Sequence, residues 1–63
     1  MESVYDVQQL LKKFGCIIYT GNRLGDLALM QDEVNELFKQ GLIEADVYQY
    51  AVLILKREIR KMN

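Results

Sequence analysis

The most regular apolar pattern in this sequence lies near its carboxyl end, in the run Tyr48-Gln49-Tyr50-Ala51-Val52-Leu53-Ile54-Leu55-Lys56-Arg57-Glu58-Ile59-Arg60-Lys61-Met62. Successive residues of an α-helix are rotated by about 100°, which places six apolar side chains of this run in one arc about 100° wide. We expect this arc to face the core; its members are Tyr48, Ala51, Val52, Leu55, Ile59 and Met62. The pattern therefore predicts an amphipathic helix, the third of the chain.

Two further groups of side chains on this helix lie outside the core arc. One group is basic and falls on the opposite side: Lys56, Arg57, Arg60 and Lys61. The other group makes the helix apolar almost all round near residues 50–55, and consists of Tyr50, Leu53 and Ile54. A second apolar face needs a second packing partner. Either the first helix of the chain covers this face, or another protein chain does.

A second helix precedes this one and forms a hairpin with it. Leu27, Met30, Val34, Leu37 and Phe38 recur at steps of three, four, three and one, which is typical of one helix face. Asp26 is a suitable N-cap and Gly41 a suitable end, so we predict a helix over 27–40. Residues 42–46 then turn the chain. Asp46 with Gln49 is a candidate capping pair for the start of the third helix, even if the helix begins at Glu44.

The first helix is predicted over residues 4–14. Ser3 with Asp6 three residues later is a short-acid variant of the capping box, and Gly15 follows the apolar pattern at the position where a helix commonly ends. The next stretch, Cys16–Thr20, is rich in β-branched and aromatic residues but has no evident partner strand. It is either an extended segment lying across the helices or an edge that pairs with a second chain.

Length and composition limit the fold and the chemistry. The chain has 63 residues, 51% of them hydrophobic, and a net charge of −1, which fits one domain over 1–63. We predict an all-α compact three-helix bundle with a short extended segment between helices one and two. The chain has no His and a single cysteine, Cys16. A catalytic triad, a Cys/His pair and a zinc site within one chain are therefore excluded, and we expect no enzyme activity, no cofactor and no metal.

The cellular compartment is predicted from the cysteine content and the apolar runs. A lone cysteine cannot close a disulfide within the chain, whereas small secreted domains usually rely on several disulfides. The first six residues lack the basic start and apolar stretch of a signal peptide. The longest apolar run covers residues 50–55 and is too short to cross a bilayer. We therefore expect a cytoplasmic protein without membrane contact.

Charge is distributed unevenly along the chain. Residues 26–46 carry a net charge of −5, whereas residues 1–25 carry +1 and residues 47–63 carry +3. Seven of the eight basic residues form one positive patch if the carboxyl ends of helices one and three meet: Lys12, Lys13, Arg23, Lys56, Arg57, Arg60 and Lys61. Glu44 and Asp46 at the start of helix three would repel duplex phosphates. Single-stranded nucleic acid needs only cations and flat rings on which bases stack.

Three segments together resemble a known family. They are Tyr5-Asp6-Val7-Gln8-Gln9-Leu10-Leu11, Gly15-Cys16-Ile17-Ile18-Tyr19-Thr20-Gly21-Asn22-Arg23 and Asp32-Glu33-Val34-Asn35-Glu36-Leu37-Phe38. In these segments the chain is similar to the small YqgQ-like bacterial proteins, of unestablished cellular role. The resemblance implies a compact three-helix bundle, and single-stranded nucleic-acid binding is the activity suggested for the family. The family tends to have Gly-Asp-Arg where this chain has Gly21-Asn22-Arg23.

Two functions follow as expectations. The first is a non-catalytic protein that binds single-stranded DNA or RNA weakly through the seven basic residues. The second is a protein-interaction adaptor or homodimer that uses Tyr50, Leu53 and Ile54. The arrangement of the cations separates the two, because dispersed charges beside a continuous apolar face favour the adaptor.

Overall fold

The computed structural model describes residues 2–62 and contains three α-helices: α1 (Val4–Lys13), α2 (Arg23–Lys39) and α3 (Ala45–Lys61). No strand occurs among these residues. The prediction of an all-α three-helix bundle is confirmed. Within residues 2–62, no helix combines the length and apolar character that crossing a bilayer requires.

Helix α1 begins as its sequence predicts. The Asp6 carboxylate accepts hydrogen bonds from the backbone N–H groups of Glu2 and Ser3, at 2.8 and 3.2 Å. These two donors lower the pKa of Asp6, because they stabilise the ionised carboxylate. Helix α1 ends at Lys13, one residue before the predicted end, because Phe14 is its C-cap.

Glycine at positive φ ends both α1 and α2. Gly15 has φ +82°, and its N–H donates to the carbonyl of Lys12 while that of Cys16 donates to Leu11, both at 3.0 Å. This pair of bonds is the Schellman motif. The motif needs one residue in the left-handed conformation, which only glycine adopts without strain. Gly41 ends α2 with the same pattern at φ +72°. Both helices therefore end at the glycines that the sequence indicates, with a last helical residue one position before the predicted one.

The predicted start of α2 is wrong by four residues. Asn22, not Asp26, is the N-cap, and its Oδ1 accepts the N–H of Gly25 at 2.8 Å. A Cβ added to Gly25 would lie 3.3 Å from that oxygen, a tight contact that favours glycine in this turn. Asp26 instead lies inside the first turn and is buried, with 5% exposure.

The start of α3 also differs from the prediction. Glu44 is the N-cap residue, and its side chain makes no capping hydrogen bond. Asp46 lies in the first turn, where its Oδ1 accepts the N–H of the adjacent Val47 at 2.8 Å. Asp46 with Gln49 is therefore not the capping pair of α3, because the helix begins one residue before Asp46.

Helices α2 and α3 form an antiparallel hairpin joined by residues 40–44. The Tyr48 hydroxyl donates to Oδ1 of Asn35 at 2.9 Å. The Tyr48 ring also stacks on Phe38, with centroids 4.3 Å apart and planes 10° from parallel. Both contacts join the beginning of α3 to the later part of α2, so the carboxyl end of α3 lies beside the start of α2.

All three helices contribute to one core. Its buried members are Val4, Val7 and Leu11 of α1, Leu27, Met30, Val34 and Leu37 of α2, Ile43 of the connection, and Ala51, Ile54 and Leu55 of α3. Tyr48, Val52 and Ile59 pack partly buried against them, as their place in the core arc predicts. Met62 is the exception, since it is 46% exposed. It follows the last helical residue of α3 and lies beyond the packed part of the bundle.

The extended segment, residues 16–20, lies along α2. Its first residue, Cys16, contacts Glu33 in the middle of α2, and its last, Thr20, contacts Asp26 in the first turn. The four steps from Cys16 to Thr20 therefore span the length of α2 from Glu33 back to Asp26. Seven helical residues rise about 10 Å, so the segment must be nearly extended. The structure shows the segment lying across the helices, and residues 2–62 contain no partner strand for it; pairing of its edge with a second chain stays a prediction.

Candidate nucleic-acid interface

All seven basic residues of the predicted patch are exposed: Lys12, Lys13, Arg23, Lys56, Arg57, Arg60 and Lys61. Between residues 2 and 62 a single ion pair is formed, in which Lys61 Nζ lies 3.7 Å from Glu58 Oε1 on the same helix. Such a surface pair contributes little to stability. The other six cations of this set form no ion pair within the described residues.

The contacts divide these cations into two groups. Lys12 and Lys13 end α1, and Cys16, three residues later, contacts Glu33 in the middle of α2. The cations of α3 lie in its last turns, at the end of the hairpin where Arg23 begins α2. Arg23 therefore belongs with the α3 cations. The carboxyl ends of α1 and α3 therefore lie at different levels along α2, and one continuous patch of all seven cations stays a prediction.

Side chains of the extended segment alternate between the core and the solvent. Cys16 and Ile18 pack against the core, whereas Ile17 and Tyr19 are 78% and 82% exposed. Alternation of this kind is expected of a chain whose successive side chains point to opposite sides. The segment thus presents an isoleucine side chain and a tyrosine ring to the solvent.

Two cavities flank the extended segment and differ in charge. The α1 cavity, about 290 Å³, lies between α1 and the segment, with Leu11 and Met30 in its lining and Gln8, Gln9 and Lys12 contributed by α1. Tyr19 also lines it, and no carboxylate does. Two carboxamides supply both donors and acceptors, and the ammonium group attracts anions. The α1 cavity therefore has the chemistry to hold a planar polar ring attached to a phosphate.

The α2 cavity lies on the other side of the segment. Its volume is about 450 Å³, and α2 contributes Leu29, Asp32 and Glu33 to its lining. The lining contains no cation. Two carboxylates repel an anionic ligand, so only the α1 cavity suits one.

A hydrogen bond joins the Cys16 thiol to α2. The Cys16 Sγ donates to Glu33 Oε2 at 3.3 Å. This bond, with burial and the negative charge of Glu33, raises the pKa of Cys16. Reactive cysteines have a lowered pKa and electropositive surroundings. The geometry instead gives Cys16 the role of joining the end of α1 to α2.

Asp26 fixes the other end of the extended segment. Its Oδ1 accepts the Thr20 hydroxyl at 2.6 Å and the Thr20 N–H at 2.9 Å. The hydroxyl bond is the main reason that the pKa of Asp26 is lowered, and backbone donors and the nearby Arg23 act in the same direction. Thr20 is thus tied to α2, and this places Tyr19 beside the α1 cavity.

The apolar face predicted on α3 is smaller than its sequence indicates. Tyr50 and Leu53 are 58% and 57% exposed and border a shallow cavity of about 260 Å³ with Asp46 and Gln49. Ile54 is 3% exposed and belongs to the core that α1 shares. The assignment of Ile54 to a partner surface is therefore wrong, because packing of α1 widens the buried arc of α3.

Several aromatic rings are available for stacking with a base. Tyr5, Tyr19 and Tyr50 are each more than half exposed, whereas Tyr48 is occupied by its contacts with Phe38 and Asn35. The place of Gln8 and Gln9 in the lining of the α1 cavity could not be predicted from the sequence. A glutamine pair on a polar helix face carries no signal of its own, and the α1 cavity exists only because residues 16–19 fold back beside α1.

Comparison with known proteins gives consistent matches over nearly the whole chain. The profile of the YqgQ-like family matches residues 1–61. A Bacillus subtilis (strain 168) relative, named "Uncharacterized protein YqgQ", is 41% identical over 61 residues. That alignment covers 97% of this chain and 86% of the relative.

Proposed function

We propose that this chain, which belongs to the YqgQ-like family, is a non-catalytic cytoplasmic protein that binds single-stranded DNA or RNA weakly. The observation that carries the proposal is the α1 cavity, where Lys12, two glutamines and an exposed tyrosine ring surround an apolar floor free of carboxylates. In this arrangement a base stacks on Tyr19 or enters the cavity, and Lys12 neutralises the adjoining phosphate.

The α3 cations supply a second contact. Arg57 and Lys61 are exposed near the carboxyl end of α3, beside the start of α2 and its Arg23. A flexible strand can follow both groups of cations, and the first turn of α3 offers a duplex no further cation, because it carries Asp46. We therefore expect single strands to bind better than duplex. The affinity is low, because the cations are divided and the net charge is −1.

Fluorescence anisotropy with a labelled single-stranded oligonucleotide and the matching duplex tests this function. We expect binding that weakens as salt is added, because bound cations release condensed counterions. Lys12→Glu should weaken binding several-fold, and Arg57→Glu with Lys61→Glu should abolish it. Lys39→Glu is the matched control, since it makes the same charge change at an exposed site outside both groups. Asp32→Asn with Glu33→Gln should leave binding intact or improve it.

Three results would contradict the proposal. The first is an absence of salt-sensitive binding to any single-stranded oligonucleotide at low ionic strength. The second is equal weakening by Lys39→Glu and Lys12→Glu, because the effect would then reflect net charge rather than a site. The third is tighter binding of the duplex than of the single strand.

A second candidate function is protein interaction through α3. Tyr50 and Leu53 are exposed beside a shallow cavity, and tyrosine is among the residues that contribute most at interfaces. The separation of the cations into two groups also favours this function over a single basic patch. If oligonucleotide binding fails, a pull-down from native cytosol with Leu53→Glu as the control identifies partners of this surface.

A further inference from the structure

The α1 cavity is lined by polar groups that have no hydrogen-bond partner in the described chain. Within residues 2–62, no hydrogen bond involves the carboxamides of Gln8 and Gln9 or the backbone N–H and C=O groups of residues 17–19. All five residues line the cavity. Carboxamides and backbone groups both donate and accept. The cavity therefore offers hydrogen bonds to a ligand from two sides.

On each side a donor stands beside an acceptor. Each carboxamide has an NH₂ donor next to its carbonyl oxygen. In an extended chain the N–H and C=O of one residue point to the same edge, and those of the next residue point to the other edge. Because α1 and α2 flank the segment, at least one residue of 17–19 turns both groups toward α1. The cavity thus suits a ligand that has a donor beside an acceptor on each of two edges.

Adenine is the base that meets this requirement. Its major-groove edge presents the N6 amino donor beside the N7 acceptor, whereas guanine presents two acceptors there, and cytosine and thymine present one polar group each. Its Watson–Crick edge presents the second N6 hydrogen beside the N1 acceptor. A glutamine carboxamide is the usual bidentate partner of N6 and N7. Adenine can therefore bond α1 with one edge and residues 17–19 with the other.

The size and charge of the cavity fit one base with its phosphate. The volume, about 290 Å³, lies at the lower end of ligand sites, which measure about 300–1,000 Å³. Leu11 and Met30 provide apolar surface for the faces of a ring, Lys12 provides a positive charge, and no carboxylate lines the cavity. The cavity thus accepts a single nucleotide rather than a length of strand.

We propose that the α1 cavity takes one adenine base of a bound single strand, turned out of the strand and held between α1 and the extended segment. The inference rests on the proposed function and narrows it, from any base stacked on Tyr19 to one base read at its edges. Free adenine mononucleotides have the same chemistry. The strand is favoured as the source because only a strand also reaches the cations of α3.

Fluorescence anisotropy with five strands of equal length and phosphate charge tests the base site. Four are abasic except for one central adenine, guanine, cytosine or thymine, and the fifth is abasic throughout. We expect the adenine strand to bind about fivefold more tightly than each of the others, or better, as one bidentate base contact provides. Tighter binding of any other strand overturns the choice of adenine. Equal binding of all five overturns the base site but leaves the proposed function intact, whereas absence of binding to every strand overturns both.

Glutamine variants locate the contact. Gln8→Met with Gln9→Met keeps the length of the side chains and the helix propensity but removes both carboxamides, so the preference for adenine should disappear. Gln40→Met is the matched control, since it makes the same change at an exposed site at the end of α2, and should keep the preference. Circular dichroism verifies that both variants remain helical. A preference kept by the double variant, or lost equally in Gln40→Met, overturns the assignment.

Amide NMR of the native chain, titrated with adenosine 5′-monophosphate, gives a measurement that needs no variant. We expect shifts at residues 8–12 and 17–19, and no such shifts with ribose 5-phosphate, which lacks the base. Shifts confined to other residues overturn the site. The strand with one adenine should bind more tightly than the mononucleotide; equal affinities would make the free nucleotide the ligand and overturn the strand as its source.

Discussion

The α2–α3 hairpin and the region formed by α1 and the extended segment are stabilised in different ways. The hairpin packs two 17-residue helices against each other, and its contacts are apolar packing and the Tyr48 side chain on Phe38 and Asn35. The extended segment is instead held by hydrogen bonds to two acids of α2, Asp26 and Glu33. It is flanked by open cavities and exposes two large side chains.

This difference teaches where binding is possible in a chain of this size. A small domain has little surface to spare from its core, and here the hairpin supplies most of the buried side chains while α1 adds Val4, Val7 and Leu11. The short α1 and a segment without regular structure leave backbone groups, rings and cavities accessible. Binding surfaces commonly lie on irregular segments that a rigid scaffold positions. The predictions below test this division, beginning with the largest expected effect.

The hairpin core should be the most sensitive part of the molecule. Leu55 is fully buried, and Leu55→Ala should lower the free energy of unfolding by about 2–5 kcal/mol through lost burial and a cavity. Leu53→Ala, two residues away but 57% exposed, should change it by less than about 0.5 kcal/mol. Urea unfolding of both variants measures the contrast. Similar losses for the two variants would show that the buried face of α3 has been misassigned.

Loss of the Asp26 charge should loosen the extended segment more than the hairpin. Asp26→Asn removes the ionised acceptor of Thr20, so the melting temperature should fall by several degrees and Thr20 amide exchange should accelerate. Asp32→Asn, an exposed carboxylate on the same helix, is the control and should change neither quantity. Faster exchange across the α2–α3 contact as well would mean that the two regions are not separable.

The same site predicts a dependence on pH. Since the pKa of Asp26 is lowered in the folded protein, its contribution to stability is present above the ordinary aspartate pKa, about 3.9. It is lost as the pH falls through the lower pKa of the folded state. The stability gap between the native protein and Asp26→Asn should therefore be full near neutral pH and close in strong acid. A gap that stays constant down to low pH would contradict this explanation.

The Tyr48 hydroxyl tests the polar contact inside the hairpin. Tyr48→Phe keeps the ring stacked on Phe38 but removes the donor to Asn35. We expect the free energy of unfolding to fall by about 0.5–1.5 kcal/mol, the usual contribution of one hydrogen bond. Tyr50→Phe alters an exposed hydroxyl on the same helix and should have no measurable effect. An equal loss in the two variants would show that the Asn35 contact contributes nothing.

The smallest expected effect concerns the reactivity of Cys16, whose thiol contacts Glu33. Glu33→Gln weakens the hydrogen bond to the Cys16 thiol and removes the nearby negative charge, both of which raise the pKa of Cys16. At mildly alkaline pH the thiolate fraction should rise, and alkylation of Cys16 by iodoacetamide should become faster. Asp32→Asn, next to Glu33 but without a hydrogen bond to the thiol, should leave the rate unchanged. A slower reaction in Glu33→Gln would contradict the assigned direction.

Most of the helical structure could be predicted from neighbouring residues. Periodic apolar side chains, the Ser3 and Asp6 pair, and the glycines at 15 and 41 act within one or two helical turns, so their effects do not depend on the rest of the fold. The start of α2 could not be predicted in this way. Asn22 and Asp26 are both good caps, and only the folded chain brings the Thr20 donors to Asp26, which leaves Asn22 to cap the helix.

The sequence by itself thus determines where helices form and which side chains are available: no histidine, one cysteine and eight basic residues. The tertiary structure decides which of these side chains meet. Ile54 becomes a core residue because α1 shares its core, the cations divide because α1 and α3 end at different levels, and the α1 cavity forms where residues 16–19 return beside α1. Helix signals are local, whereas surfaces and cavities arise from contacts between residues distant in the chain, and no short sequence pattern encodes those contacts.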